Sequence, residues 1–160
     1  MAESTKEYVR IERILRDPLA TELLGRALLR VLEPGHAVFL HGPLGAGKTT
    51  LVRGALREAG YSGDVRSPTF ALMVPYATQP PILHADFYRV SSAAGLGLED
   101  YAADHVLWME WPTPELESEY PDAIAVWLDF DLHGGRQATL RLDPSLAQQF
   151  AAQEDADADL

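Results

Sequence analysis

The residues Gly42-Pro43-Leu44-Gly45-Ala46-Gly47-Lys48-Thr49 form the pattern G-x-x-x-x-G-K-[ST]. The chemistry such a stretch serves is phosphate capture. Consecutive backbone N–H groups must turn inward around the phosphates, which calls for glycine's freedom in φ and its lack of a side chain. Gly42, Leu44, Gly45, Ala46 and Gly47 would supply that backbone cradle, and Lys48 would reach the β- and γ-phosphates of a nucleotide as a compact ammonium. The Thr49 hydroxyl is placed to ligate Mg2+, and Thr50 to touch the α-phosphate. Only two lysines occur in the chain, Lys6 and Lys48, among 13 basic residues. That fits a position where a guanidinium does not substitute.

The loop needs a strand before it and a helix after it, and the chain provides both. Ala37 to His41 is a short apolar run that ends at the glycines, and a helix is expected from about Lys48 to Ala59, closing at Gly60. Upstream, Asp17-Pro18 reads as an N-cap followed by proline at the first helical position, with Leu19, Leu23, Ala27 and Val31 at helical spacing after it. Downstream, Phe70 to Tyr76, Ile82 to Tyr88 and Val106 to Glu110 read as strands, apolar enough to be buried on both faces. Ala125 to Phe130 and Gln137 to Leu142 flank His133-Gly134-Gly135 and predict an antiparallel hairpin that closes a sheet edge. The expected fold is α/β, a P-loop NTPase-like mixed and mainly parallel sheet flanked by helices, with that hairpin near the C-terminus. One domain is expected over residues 1–150. Ser145 to Ala152 suggests a last helix, and residues 151–160, with Glu154, Asp155, Asp157 and Asp159, an acidic disordered tail.

In an open α/β sheet, ligands lie at the carboxyl ends of the strands, so acids that close buried strands are candidates for the same site. Asp86 closes the run Pro81-Ile82-Leu83-His84-Ala85-Asp86 and is expected to hold Mg2+ or its water shell. The two-residue period puts His84, Asp86 and Tyr88 on one side. Glu110 closes Val106 to Glu110 and could either ligate the metal or orient the attacking water. Thr69, in Ser67-Pro68-Thr69-Phe70, lies where switch segments supply a hydroxyl to metal or γ-phosphate.

Composition narrows the classes further. With 13 basic and 24 acidic residues the formal net charge is −11, and no cluster of Lys or Arg is visible, which argues against direct gripping of RNA. There is no cysteine, which excludes disulfides and thiolate metal sites. No apolar run approaches the ~20 residues of a membrane helix, and Met1 to Tyr8 do not open a secretory signal, so a cytoplasmic protein is expected.

Four stretches in order, Gly42 to Thr50, Ser67-Pro68-Thr69-Phe70, His84-Ala85-Asp86-Phe87-Tyr88-Arg89 and Glu110-Trp111-Pro112, resemble the TsaE family, also called YjeE. Gly97-Leu98-Glu99-Asp100-Tyr101 resembles a further family segment, so the resemblance spans about Asp17 to Leu142. It implies an accessory ATPase in bacterial synthesis of threonylcarbamoyladenosine beside the anticodon of tRNA, acting through TsaD and TsaB, with ATP and Mg2+ as cofactors. It also implies Mg2+ near Thr49 and Glu110, an essential role for Asp86 and nucleotide contact near Trp111. The family shows a Gly-Arg at its late hairpin, so Arg136 is expected to stack on adenine or approach the phosphates. Pro43 stands where the family usually has Asp, and Ala71 where Thr or Ser is common.

Other activities fit the same loop. A small metabolite kinase would use the same lysine and acids. A GTPase of the common type needs an Asn-Lys-x-Asp segment, and the chain contains no asparagine, which favours adenine. A binding module in which ATP only assembles a complex is the third class, separable by whether turnover rises with partners.

Overall fold

A computed structural model of the chain describes residues 7–158. The elements run β1 (Val9–Leu15), α1 (Pro18–Arg30), β2 (Ala37–His41), α2 (Lys48–Glu58), β3 (Met73–Tyr76), β4 (Ile82–Asp86), α3 (Glu99–Ala102), β5 (Val106–Glu110), α4 (Pro114–Glu119), β6 (Ile124–Phe130), β7 (Arg136–Leu142) and α5 (Pro144–Ala158). The strands form one sheet in the order β1-β7-β6-β2-β5-β4-β3. β6, β2, β5 and β4 pair in parallel, β7 and β3 run the other way, and β1, antiparallel to β7, returns to the common direction. The sheet is mixed and mostly parallel, as the sequence suggests.

The pleat sorts the strand residues between two cores. Val38, Leu40, Ile82, Val106, Trp108, Val126 and Leu140 pack beneath α1, α2 and α5, while Phe39, Leu83, Ala85, Leu107 and Met109 pack with Phe87, Leu98 and Leu116 on the opposite face. β4 and β5 are buried along their whole length. The same alternation turns His84, Asp86 and Glu110 toward the α2 side.

α1 starts where expected: Asp17 accepts the Ala20 amide at 2.8 Å, and Pro18 occupies the first turn. It then crosses α2 at backbone contact. A Cβ added at Gly25 would lie 2.0 Å from the Leu51 carbonyl oxygen, and one at Gly54 2.0 Å from that of Glu22. No side chain larger than hydrogen fits at either position.

Four boundaries depart from the sequence reading. The strand expected from Phe70 begins only at Met73, because Leu72 sits at a φ of +66° and the chain turns through residues 69–71. β3 is an antiparallel strand at the sheet's edge and is only partly buried, where burial on both faces was expected. The β6–β7 hairpin lies inside the sheet, and β1 supplies the edge by pairing with β7. Finally, α5 continues through Ala158, so the stretch expected to be a disordered tail from residue 151 is helical as far as it is described. Glu154 pairs with Arg13 of β1, and Asp157 with Arg30 of α1. Asp159 and Leu160 lie outside the described residues.

Candidate functional site

The phosphate-loop pattern lies between β2 and α2, with Gly47 at a φ of +107° as the residue before the helix. Gly42 is required by crowding, since a Cβ there would come within 2.2 Å of the Leu128 carbonyl oxygen of β6. The Lys48 ammonium donates to the carbonyls of Gly42 and Pro43, the latter at 3.0 Å, and lies 4.2 Å from the centroid of the Trp111 ring. Burial pushes its pKa below the ordinary lysine value, against the opposing pull of Glu110 and Asp86. The amine is held inside the glycine-rich loop.

Asp86 and Glu110 are register partners across β4 and β5 and emerge at the same sheet edge. Their surroundings differ. The Thr49 hydroxyl donates toward Glu110 at 3.1 Å to Oε2 and 3.3 Å to Oε1, and His84 Nε2 lies 2.6 Å from Oε2. Asp86 accepts from the Ser67 hydroxyl through one oxygen and from the Tyr88 amide, at 2.9 Å, through the other. Glu110 therefore faces the phosphate loop, while Asp86 ties down the segment that carries Thr69.

A cavity of about 450 Å³ opens over this edge and is lined by Leu44, Gly45, Gly47, Lys48, Thr49, Thr50, Thr69, Asp86, Glu110 and Trp111, with Ser67, Tyr88 and Arg89 completing the wall. Its volume lies within the range of small-ligand pockets. Trp111 adopts a φ of +53°, unusual for a residue with a side chain, and its ring lies 4.8 Å from that of Tyr88. Gly42 and Ala46 belong to the loop but do not line the cavity.

Arg136 sits apart from that cavity. Its guanidinium donates to the carbonyls of Ala46 at 3.1 Å and Gly45 at 3.0 Å, and lies 4.6 Å from the centroid of the Phe130 ring. With Arg16, Asp17, Thr21, Gly45, Gly47 and Thr50 it lines an adjoining cavity of about 220 Å³. The hairpin thus reaches the phosphate loop from the side opposite the carboxylates. The sequence reading does not place Ser67 and His84 in the site. Their signal was present in the motifs, since each lies two residues from a candidate, but their partners depend on strand register.

The chain as a whole is similar to known proteins. The family model described as "Threonylcarbamoyl adenosine biosynthesis protein TsaE" matches residues 15–138. The chain is similar to the tRNA threonylcarbamoyladenosine biosynthesis protein TsaE of Streptomyces coelicolor, 37% identical over 113 residues that cover 66% of this chain and 76% of that protein. It is also similar to the protein of the same name from Haemophilus influenzae, 43% identical over 84 residues, covering 49% of this chain and about half, 53%, of that relative. In fold, the crystal structure of Bacillus subtilis YdiB superposes with a TM-score of 0.76 over 95% of this chain and 99% of that one, at 22% sequence identity.

Proposed function

The chain belongs to the TsaE family of threonylcarbamoyl adenosine biosynthesis proteins, and from that premise we propose that it is a cytoplasmic, Mg2+-dependent ATPase supporting threonylcarbamoyl modification of tRNA adenosine through TsaD and TsaB. The observation that carries the reading is the meeting of the Thr49 hydroxyl and the Glu110 carboxylate, 3.1 Å apart, beside Lys48 in the cavity over the phosphate loop.

The donor set fits a hard divalent cation. Thr49 and Glu110 offer oxygen ligands, and among the described residues no group of three or more His, Cys, Asp or Glu side chains forms a dedicated cage. Mg2+ is held in this manner, by one or two protein oxygens with substrate phosphates and water completing the shell. Thr49 and Glu110 are the residues that would hold it, with Asp86 beside them at the edge. When bound, the ion neutralises charge on the β- and γ-phosphates.

The chain's own groups supply the rest. Loop amides orient the phosphates, and Lys48 exchanges its loop carbonyls for phosphate oxygens. Asp86 steadies the segment that carries Thr69, and Trp111 and Tyr88 form an aromatic wall that limits water. Arg136 braces the loop and lines the adjoining cavity, which offers room for the nucleoside end of ATP. With a net charge of −11 and no basic cluster, the protein acts on tRNA through protein contacts. Among the described residues, no helix is long and apolar enough to cross a membrane.

ATP hydrolysis is measured for the protein alone and with TsaD and TsaB, with and without Mg2+. Slow Mg2+-dependent turnover that accelerates with the partners is expected. Turnover indifferent to both would remove the reading.

A further inference from the structure

His84 lies in the middle of β4, between β3 and β5, and its side chain is fully buried. Its neighbours along the α2 side of the sheet, Ile82 and Trp108, belong to the apolar core. A hydrophobic side chain would satisfy the packing there. The imidazole does one polar thing: Nε2 meets Glu110 Oε2 at 2.6 Å, while Nδ1, also buried, has no hydrogen-bond partner. A buried ring nitrogen without an acceptor is best left unprotonated, so the proton belongs on Nε2, donated to the carboxylate.

We infer that His84 is a positioning residue that fixes the Glu110 carboxylate toward the phosphate loop. The inference rests on the ATPase reading and deepens it. Glu110 is 3% exposed, and a buried carboxylate needs donors from the protein. It has two here, arriving from different elements: the Thr49 hydroxyl from α2 and the His84 ring from β4. The contact from α2 is the one a bound metal would compete for, since the Thr49 oxygen is itself a candidate ligand. The contact from His84 reaches Oε2 from a buried strand outside the cavity lining, and survives that exchange. It keeps the oxygens aimed while the front of the site changes partners. Outer partners of this kind change metal affinity or activity by roughly 10–100-fold when removed.

The test compares wild type, His84→Leu and His84→Gln, the last retaining an amide N–H of similar reach. Affinity for a non-hydrolysable ATP analogue is measured by calorimetry with and without Mg2+, alongside turnover and thermal unfolding. In His84→Leu, affinity without Mg2+ is expected to stay within about twofold, while the gain from Mg2+ and the turnover each fall by about tenfold or more. His84→Gln should recover part of both. Unchanged Mg2+ gain and turnover in His84→Leu overturns the inference and leaves the ATPase reading standing. Equal losses in all binding modes, with no recovery by glutamine at matched unfolding temperature, reduce His84 to a core residue. A wild type with no Mg2+-dependent gain removes the ATPase reading, and the inference with it.

Discussion

Charged side chains gather in two regions, on opposite principles. At the carboxyl ends of β4 and β5 and the start of α2, Lys48, Asp86 and Glu110 are all buried, and each touches another polar group of the cavity or the phosphate loop. Among α1, α2, β1 and α5, Arg13 meets Glu154, and Arg30 meets both Asp157 and Glu58, with every side chain a quarter or more exposed. The first arrangement is costly, because each ion loses water and regains only what its neighbours return. The second costs little and holds little. Stability alone would not select the first, and the depressed lysine there shows a fold working against its own charge. What the contrast teaches is that ion pairing by itself says little about importance; burial and the cavity beside it say more.

Replacing Lys48 should sharpen the contrast most. Lys48→Met is expected to lose nucleotide binding and at least about 100-fold in turnover, yet to match or exceed the wild-type unfolding temperature, because an apolar side chain suits the buried position better. Isothermal titration with ATP analogue and a thermal melt read both sides of that claim. A variant that binds as wild type would end the phosphate-loop assignment.

Arg136 should fall between the regions, since its guanidinium is partly buried but its partners are backbone carbonyls of the loop. Arg136→Ala is expected to weaken ATP-analogue affinity by about 1 kcal/mol, the scale of one or two lost hydrogen bonds, and to lower the urea midpoint as well. Identical isotherms and melts would mean the loop holds its shape unaided.

The smallest effect belongs to the α5 pairs. Glu154→Gln and Asp157→Asn should each cost under about 1 kcal/mol in urea unfolding, less at high salt, and leave nucleotide affinity untouched. A loss of several kcal/mol from either would erase the distinction between the two regions.

The phosphate loop, the capped start of α1 and the buried strands β2, β4 and β5 were legible because each rests on local chemistry: glycine freedom, a cap with proline after it, and continuous apolar runs. β1 escaped notice because Val9-Arg10-Ile11-Glu12-Arg13 mixes charge into an edge strand whose identity comes from pairing with β7. The end of α5 escaped because its acids look solvated until Arg13 and Arg30 arrive from distant segments. In the site, residue types pointed to Asp86 and Glu110 alike, but their different duties depend on neighbours: Ser67 and the Tyr88 amide for one, Thr49 and His84 for the other. Only the folded register distinguishes them.

Gly25 and Gly54 bear on how the site moves. Most helix pairs meet through side chains, and rotamer changes let them creep past one another in small shearing steps. Where α1 and α2 meet, the spacing leaves a hydrogen atom on each side and nothing that can rotate. Creep at that point has no soft coordinate to follow. Lys48 and Thr49 sit on the first turn of a helix seated in this way, so the position of the phosphate end is tied to that of α1 through backbone contact.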